Sequence, residues 1–139
     1  MTITLVWIML LMQPASQTAA SREPEVVVLA MFSAFNRHDA ATMEQMYAAE
    51  ARLTSSDFCH ARKRSDVKRT YDALFKAFPD IHDDVETIVS QGDRVAVRFR
   101  ATSKLGEMSI TIHTFLRVRD GLIVEDDSVF DTGGRPCEP

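Results

Sequence analysis

Residues 78–131 read FPDIHDDVETIVSQGDRVAVRFRATSKLGEMSITIHTFLRVRDGLIVEDDSVFD, and this stretch decides the fold. Apolar and polar side chains alternate in its segments at the two-residue period of a half-buried strand. Gly92 and Gly106 lie between alternating segments, and Asp120-Gly121 suits the positive φ angles of a two-residue hairpin turn. The stretch therefore predicts four successive antiparallel strands.

Apolar residues at helical spacing predict three helices before these strands. The first helix opens within residues 21–25 and stops near residues 36–38, the second runs from residue 39 through residue 47, and the third runs over residues 65–78. Asp39 and Ser65 are side chains that commonly cap helix N-termini, and residues 51–56 predict a short strand between the second and third helices. Because amphipathic helices and an antiparallel sheet cover each other's apolar faces, the order of elements predicts an α+β domain.

The bulk composition limits the class of protein. The 139 residues are 45% hydrophobic and 26% charged, which fits one globular domain. The formal net charge of -4 argues against nucleic-acid binding, because a surface that neutralises phosphates shows an excess of Lys and Arg. Acidic and histidine residues at 57–60 and 82–84 lack a spacing that fixes a metal site. We therefore expect no metal and no cofactor.

The first 20 residues contain no charged side chain and include an apolar run at positions 3–12. This run is shorter than the roughly 18 residues of a membrane helix, and small residues follow it up to Ala20, as in a secretory signal peptide. We therefore predict a leader over residues 1–20, a domain over residues 21–139, and a secreted or periplasmic protein without membrane contact after processing. A retained N-terminal anchor and a wrongly chosen start codon are the alternatives.

Two cysteines, Cys59 and Cys137, follow the leader. In an oxidising compartment, an even pair of cysteines favours one disulfide. Sequence does not place the two Cα atoms within bonding distance, so two unpaired thiols stay open as the alternative.

Three strings carry a resemblance to a known family: AFNRHDAATMEQMYAAEARL at 34–53, FPD at 78–80 followed by GDRVAV at 92–97, and RVRDGLIVED at 117–126. With the order of elements, they resemble the SnoaL-like branch of the NTF2-like superfamily. The resemblance implies a cone with a pocket, in which three N-terminal helices pack on a strongly curved antiparallel sheet, and a homodimer through that sheet. It implies no single activity, because isomerases, epoxide hydrolases, polyketide cyclases and non-catalytic binders share the fold.

The steroid-isomerase version of this fold needs a carboxylate base and an oxyanion hole made of a tyrosine and a protonated acid. On alignment, the oxyanion tyrosine falls at Met31, the base at Ser55, and the acid at Thr114 or His113. Only a supporting tyrosine is kept, as Tyr71. The resemblance therefore implies that isomerisation by this mechanism is lost.

The polyketide-cyclase-like version places its acid/base aspartate on the last strand. Asp131 is then the candidate catalytic residue, aided by Asp127 on the same strand face or by His113. Two acids facing one apolar cavity would raise the pKa of one of them, which suits a general acid or base near neutral pH. The alternative is that these carboxylates are solvated on an outer face of the sheet.

Five aromatic residues are candidates for a ligand-binding wall, with core packing as the alternative for some: Tyr47, Tyr71, Phe75, Phe99 and Phe115. The resulting hypothesis is an exported protein that binds an apolar carbonyl compound and catalyses cofactor-free proton transfer or cyclisation. A non-catalytic ligand-binding or protein-interaction module is the alternative. A buried carboxylate with a raised pKa would favour the enzyme, whereas a cavity lined only by apolar groups would favour the module.

Overall fold

The structure, a computed structural model, describes residues 23–139, so the leader predicted over residues 1–20 lies outside the described residues. Three helices and six strands follow one another in an α+β order. Their bounds are α1 Pro24–Asn36, α2 Ala40–Gln45, β1 Tyr47–Ser55, β2 Arg62–Lys63, α3 Arg64–Ala77, β3 His82–Gln91, β4 Arg94–Ser103, β5 Met108–Arg119 and β6 Leu122–Val129. Among the described helices, none is long and apolar enough to cross a membrane.

Helix α2 begins where a side chain satisfies one of its first free amides. The Asp39 carboxylate accepts hydrogen bonds from the Thr42 amide at 3.0 Å and the Thr42 hydroxyl at 2.6 Å, as predicted for the N-cap of α2. The prediction that this helix continues through Tyr47 is wrong, because α2 ends at Gln45 and Tyr47 opens β1.

The predicted start of α3 is also wrong by two residues. Its N-cap is Lys63 rather than Ser65, and β2 lies directly before it. The Asp66 carboxylate reaches back and accepts a hydrogen bond from the Lys63 backbone amide at 3.0 Å. This contact fixes the start of the helix one turn before the carboxylate, since a side chain at the third helical position can bond the N-cap amide.

The four strands predicted over residues 78–131 form an antiparallel meander, as expected. The strand order across the sheet is β2-β1-β6-β5-β4-β3. The sheet is mixed rather than wholly antiparallel, because β1 pairs in parallel with β6. These two strands are joined through α3 and four other strands, so no hairpin turn sets their relative direction. The predicted strand at 51–56 is the second half of a longer strand, Tyr47–Ser55.

The hairpin turns form where the sequence predicts them. Gly92 has a φ of 58°, and Asp120 and Gly121 have φ values of 51° and 76°. Two consecutive positive φ values are the geometry of the turn that matches the twist of the flanking strands. Asp120-Gly121 has this geometry.

The three helices cover one face of the sheet, and the core lies between them. Buried side chains of α1 meet inward-facing residues of β4 and β5, and the Phe32 ring packs edge-on against Phe99 at 4.9 Å between centroids. Register shifts interrupt β3, β6 and β1, and such bulges bend a sheet. The bent sheet leaves a space between its inner face and the helices.

Candidate functional site

A cavity of about 290 Å³ lies between α1, α3 and the inner face of the sheet. This volume is at the lower end of small-molecule sites, which span roughly 300–1,000 Å³. Aromatic and aliphatic side chains form most of its wall, including Phe32, Phe35, Phe78, Phe99, Ile110 and Ile112. Two buried carboxyl groups, those of Asp83 and Asp126, interrupt this apolar wall.

Asp126 projects from β6 into the cavity and is 7% exposed. Its Oδ2 accepts a hydrogen bond from the Tyr47 hydroxyl at 2.7 Å, and its Oδ1 accepts one from the Thr114 hydroxyl at 2.8 Å. Burial raises the pKa of the Asp126 carboxyl, while hydrogen bonds from Tyr47, Thr114 and Ser128 act in the opposite direction. The Asp126 carboxyl therefore has a fixed orientation, and its hydrogen bonds offset part of the cost of burying its charged form.

Two tyrosines lie beside this carboxyl. Tyr47 is fully buried, and Tyr71 reaches from α3 to the cavity wall. Burial raises the pKa of both phenols, and the Asp126 charge raises each of them further. Both tyrosines therefore stay neutral, and Tyr47 donates a hydrogen bond to Asp126. The Asp83 charge also raises the pKa of Tyr71, which places this phenol within the field of both carboxyl groups.

Asp83 projects from β3 and is 6% exposed. Among the side chains of residues 23–139, its Oδ1 is the one buried nitrogen or oxygen that has no hydrogen-bond partner. Burial, followed by the nearby Asp84 charge, raises the pKa of Asp83 to about 8. The backbone of Asp83 is held by the Asn36 side chain, which accepts from its amide at 2.8 Å and donates to its carbonyl at 2.9 Å.

The C-terminal segment contributes to the wall of the cavity. Cys59 and Cys137 form a disulfide with a Cα–Cα distance of 5.0 Å, which is one of the two alternatives that the sequence left open. Beside it, the Cys59 amide donates to the Glu138 carbonyl at 2.8 Å, and the Glu138 amide donates to the Asp57 carbonyl at 2.6 Å. Arg135 and Glu138 consequently line the cavity together with Arg62, whose guanidinium lies 3.7 Å from the centroid of the Phe58 ring.

The three residues predicted to be catalytic, Asp131, Asp127 and His113, are all exposed, and none of them lines the cavity. Asp127 accepts a hydrogen bond from the Thr54 hydroxyl at 2.6 Å on the outer face of the sheet. Asp131 follows the end of β6 and accepts from the Gly133 amide at 2.8 Å. The geometry therefore favours Asp126, not these three residues, as the acid/base group of the cavity.

The five predicted wall aromatics divide into three groups. Tyr71 and Phe99 line the cavity, and Tyr47 and Phe75 are buried without lining it. Phe115 is 58% exposed and lies on the outer face, so it belongs to no wall of this cavity. A separate, shallow groove on that outer face is lined by Phe115 and by charged residues such as Arg117 and Glu125.

Asp126 and Asp83 were missed at the sequence level. A register shift lies between β5 and β6, so Ile123 and Asp126 both point inward although they are three positions apart. Strict alternation instead grouped Asp126 with the outward-facing Val124. Asp83 stands in a run of polar residues, and only its pairing with the buried Ala101 marks it as inward-facing.

Residues 28–126 match the family model described as the SnoaL-like domain. The chain belongs to the SnoaL-like domain family. This match covers most of α1, the other two helices, most of the meander and Asp126, and it ends before the C-terminal segment. Among curated protein sequences, none matches the chain significantly.

Solved structures of the same fold include two from Streptomyces. Wild-type IdmH of Streptomyces antibioticus, a candidate polyketide cyclase, is 27% identical with a TM-score of 0.67, over 79% of this chain and 93% of its own. AclR of Streptomyces galilaeus, a candidate hydroxylase, is 26% identical with a TM-score of 0.66, over 78% of this chain and 88% of its own. A candidate ketosteroid isomerase of Kribbella flavida shares the fold at 19% identity and a TM-score of 0.67, over 84% and 83% of the two chains.

Proposed function

We propose that this SnoaL-like protein binds an apolar carbonyl compound in its cavity and moves a proton of that compound through Asp126, without a cofactor. The observation that carries the proposal is the Asp126 carboxyl, which is buried in an aromatic cavity and oriented by Tyr47 and Thr114. A carboxyl that only stabilised the fold would gain little from a position in a ligand-sized cavity, since burial of an acid is costly.

The environment of Asp126 suits removal of a proton next to a carbonyl group. Its pKa is raised by burial, so its carboxylate is a stronger base than a solvated one. The Asp126 Oδ2 accepts one short hydrogen bond, from Tyr47, and retains a free lone pair for a substrate proton. Because Tyr47 stays neutral, it holds the carboxylate in place without competing for the proton.

The likeness to IdmH supports this choice of chemistry. Formation of a ring from a polyketone begins when a base takes a proton from the carbon beside a carbonyl group, which is the step assigned here to Asp126. The same step accounts for exchange or migration of a proton in a simple ketone. The proposal thus covers proton transfer and cyclisation by one residue.

Exchange of α-protons in D₂O tests the proposal with a simple ketone such as 2-tetralone, observed by NMR. We expect the wild-type protein to accelerate exchange and Asp126→Asn to lose about 10²- to 10⁴-fold of this acceleration, the usual contribution of a general base. Asp127→Asn removes the neighbouring carboxylate from the outer face and should exchange at the wild-type rate. Binding of the ketone without accelerated exchange would overturn the proposal and indicate a non-catalytic binding module.

We propose further that the outer face of the sheet pairs with a second copy of the chain. Three large apolar side chains, Phe115, Val89 and Val129, are exposed there. Isolated apolar residues are normal on a surface, but three on one sheet face suit an interface. Sedimentation of the wild-type protein against Phe115→Asp tests this: a dimer that the variant dissociates is expected, and a wild-type monomer at high concentration would refute it.

We propose that the protein is exported. The support is the uncharged, apolar start of the chain together with the Cys59–Cys137 disulfide, because disulfides persist mainly in oxidising compartments. Trp7 is the single tryptophan and lies in the predicted leader. Protein recovered from the medium or periplasm should therefore lack tryptophan emission, and full-length protein in the cytoplasm would contradict export.

A further inference from the structure

We propose that Asp83 forms a second ligand subsite, which receives an oxygen function at the opposite end of the ligand from Asp126. The ligand class that this implies is an apolar ring compound with oxygen groups at both ends. This inference rests on the proposed function, because it takes the cavity to be a ligand site. Neither the family match nor the likeness to solved structures assigns a role to Asp83.

The carboxyl of Asp83 lacks the partners that a buried polar group normally has. Its Oδ1 is buried and makes no hydrogen bond, whereas each Asp126 oxygen accepts at least one. Most buried polar atoms in proteins are paired, and an unpaired one destabilises the fold. Asp83 lines the cavity, so a ligand atom can supply the missing partner.

Hydrogen bonds with Asn36 hold the backbone of Asp83 in a fixed position. The Asn36 side chain binds both the amide and the carbonyl of Asp83, at 2.8 Å and 2.9 Å, and thereby holds this point of β3 against the end of α1. Both contacts use the backbone and leave the carboxyl free. A rigid backbone that presents an unpaired polar side chain to a cavity is the arrangement expected of a binding site.

The two carboxyl groups lie at different ends of the cavity. Asp83 pairs with Ala101 of β4, which in turn pairs with Ile110 near the start of β5. Asp126 pairs with Leu116 near the end of β5. Tyr71 lines the same cavity as these two carboxyl groups. One ligand that contacts both carboxyl groups must therefore extend along the cavity from one of these positions to the other.

The chemistry of the subsite favours an oxygen function over a cation. The pKa of Asp83 is raised to about 8, so near pH 7 the group is mainly a neutral carboxylic acid. A neutral acid donates one hydrogen bond through its hydroxyl and accepts through its carbonyl oxygen. A hydroxyl group of the ligand satisfies both, and an ether or carbonyl oxygen satisfies the donor.

Matched ligands test the subsite by binding alone. The affinities of 2-tetralone, 6-methoxy-2-tetralone and 6-hydroxy-2-tetralone are measured by calorimetry for the wild-type protein, Asp83→Leu and Asp84→Asn. We expect the wild-type protein to bind the two 6-substituted ketones about five- to tenfold more tightly than 2-tetralone, the usual gain from one buried hydrogen bond. Asp83→Leu should lose this preference while it still binds 2-tetralone, and Asp84→Asn should keep it.

The test separates the subsite from the proposed function. If Asp83→Leu keeps the preference, or if the wild-type protein shows none, the subsite is refuted even where Asp126 catalyses exchange. If the preference depends on Asp83 but no exchange occurs, the subsite stands and proton transfer by Asp126 is refuted. Should Asp83→Leu fail to fold, Asp83→Asn replaces it: an amide donates and accepts, so the preference for the 6-hydroxy compound should be kept at least in part, and its complete loss would count against a neutral hydrogen-bonding group.

Discussion

Asp126 and Asp127 are neighbours in sequence and occupy opposite faces of one strand. Asp126 is buried, accepts hydrogen bonds from Tyr47 and Thr114, and has a raised pKa. Asp127 is exposed and accepts its hydrogen bond from Thr54 at the surface. The residue type is the same, so the difference comes from the direction of the side chain. A carboxylate in this fold becomes a candidate acid/base group only on the inner face.

The largest expected difference in stability concerns two aromatic residues, one on each face of the sheet. Phe99 is buried against Phe32, and Phe115 on the next strand is exposed on the outer face. We expect Phe99→Ala to lower the free energy of unfolding by about 3–5 kcal/mol through lost burial and a cavity. Phe115→Ala should change it by less than about 0.5 kcal/mol in urea denaturation at a concentration where the protein is monomeric. Equal losses would mean that the outer face is as buried as the inner one.

The second-largest expected difference in stability concerns the two neighbouring aspartates, Asp126 and Asp127. Asp126→Ala leaves the hydroxyls of Tyr47 and Thr114 buried without an acceptor, which should lower the free energy of unfolding by about 2–3 kcal/mol. Asp127→Ala removes one surface hydrogen bond and should cost about 0.5 kcal/mol or less. Denaturation of Asp126→Asn adds a control, since an amide oxygen can still accept from Tyr47. A cost as small for Asp126→Ala as for Asp127→Ala would show that the hydroxyls find other partners.

The fold was predictable where its determinants are local. Alternation and the turns at Gly92 and at Asp120-Gly121 predict the four-strand meander, because each hairpin joins adjacent segments. The parallel pairing of β1 with β6 depends on contacts between distant segments and leaves no local pattern. The predicted start of α3 was wrong because the carboxylate of Asp66, within the helix, accepts the capping hydrogen bond that was expected of Ser65.

The candidate site was less predictable than the fold. The resemblance places an acid on the last strand, and the structure has one there, but a single register shift decides that it is Asp126. The sequence contains no signal for that shift, since a bulge changes the face of a side chain without changing composition. The burial of Asp83 is still harder to predict from sequence, because it depends on pairing with Ala101 and on the contact with Asn36.

The smallest expected effect concerns the pH dependence of stability at Asp83. Its pKa in the folded protein, about 8, lies above the ordinary value of 3.8, so folding favours the protonated form. The stability that this group contributes is fully present below about pH 4 and is lost as the pH rises through about 8. Asp83→Asn does not titrate and should be more stable than the wild-type protein at pH 9. We expect a gain of about 1–2 kcal/mol, because the unpaired amide retains part of the cost of burial.

Asp84→Asn supplies the matched control for this prediction. Asp84 is the next residue of β3 and is exposed on the outer face, so the variant loses the same charge without removing a buried group. Its unfolding free energy should follow the wild-type dependence on pH, shifted slightly because the Asp84 charge contributes to the raised pKa of Asp83. If Asp83→Asn and the wild-type protein lose stability in parallel between pH 4 and pH 9, the Asp83 carboxyl is solvated in solution. The contrast between the two faces would then hold for Asp126 alone, and the oxygen subsite at the other end of the cavity would lose its physical basis.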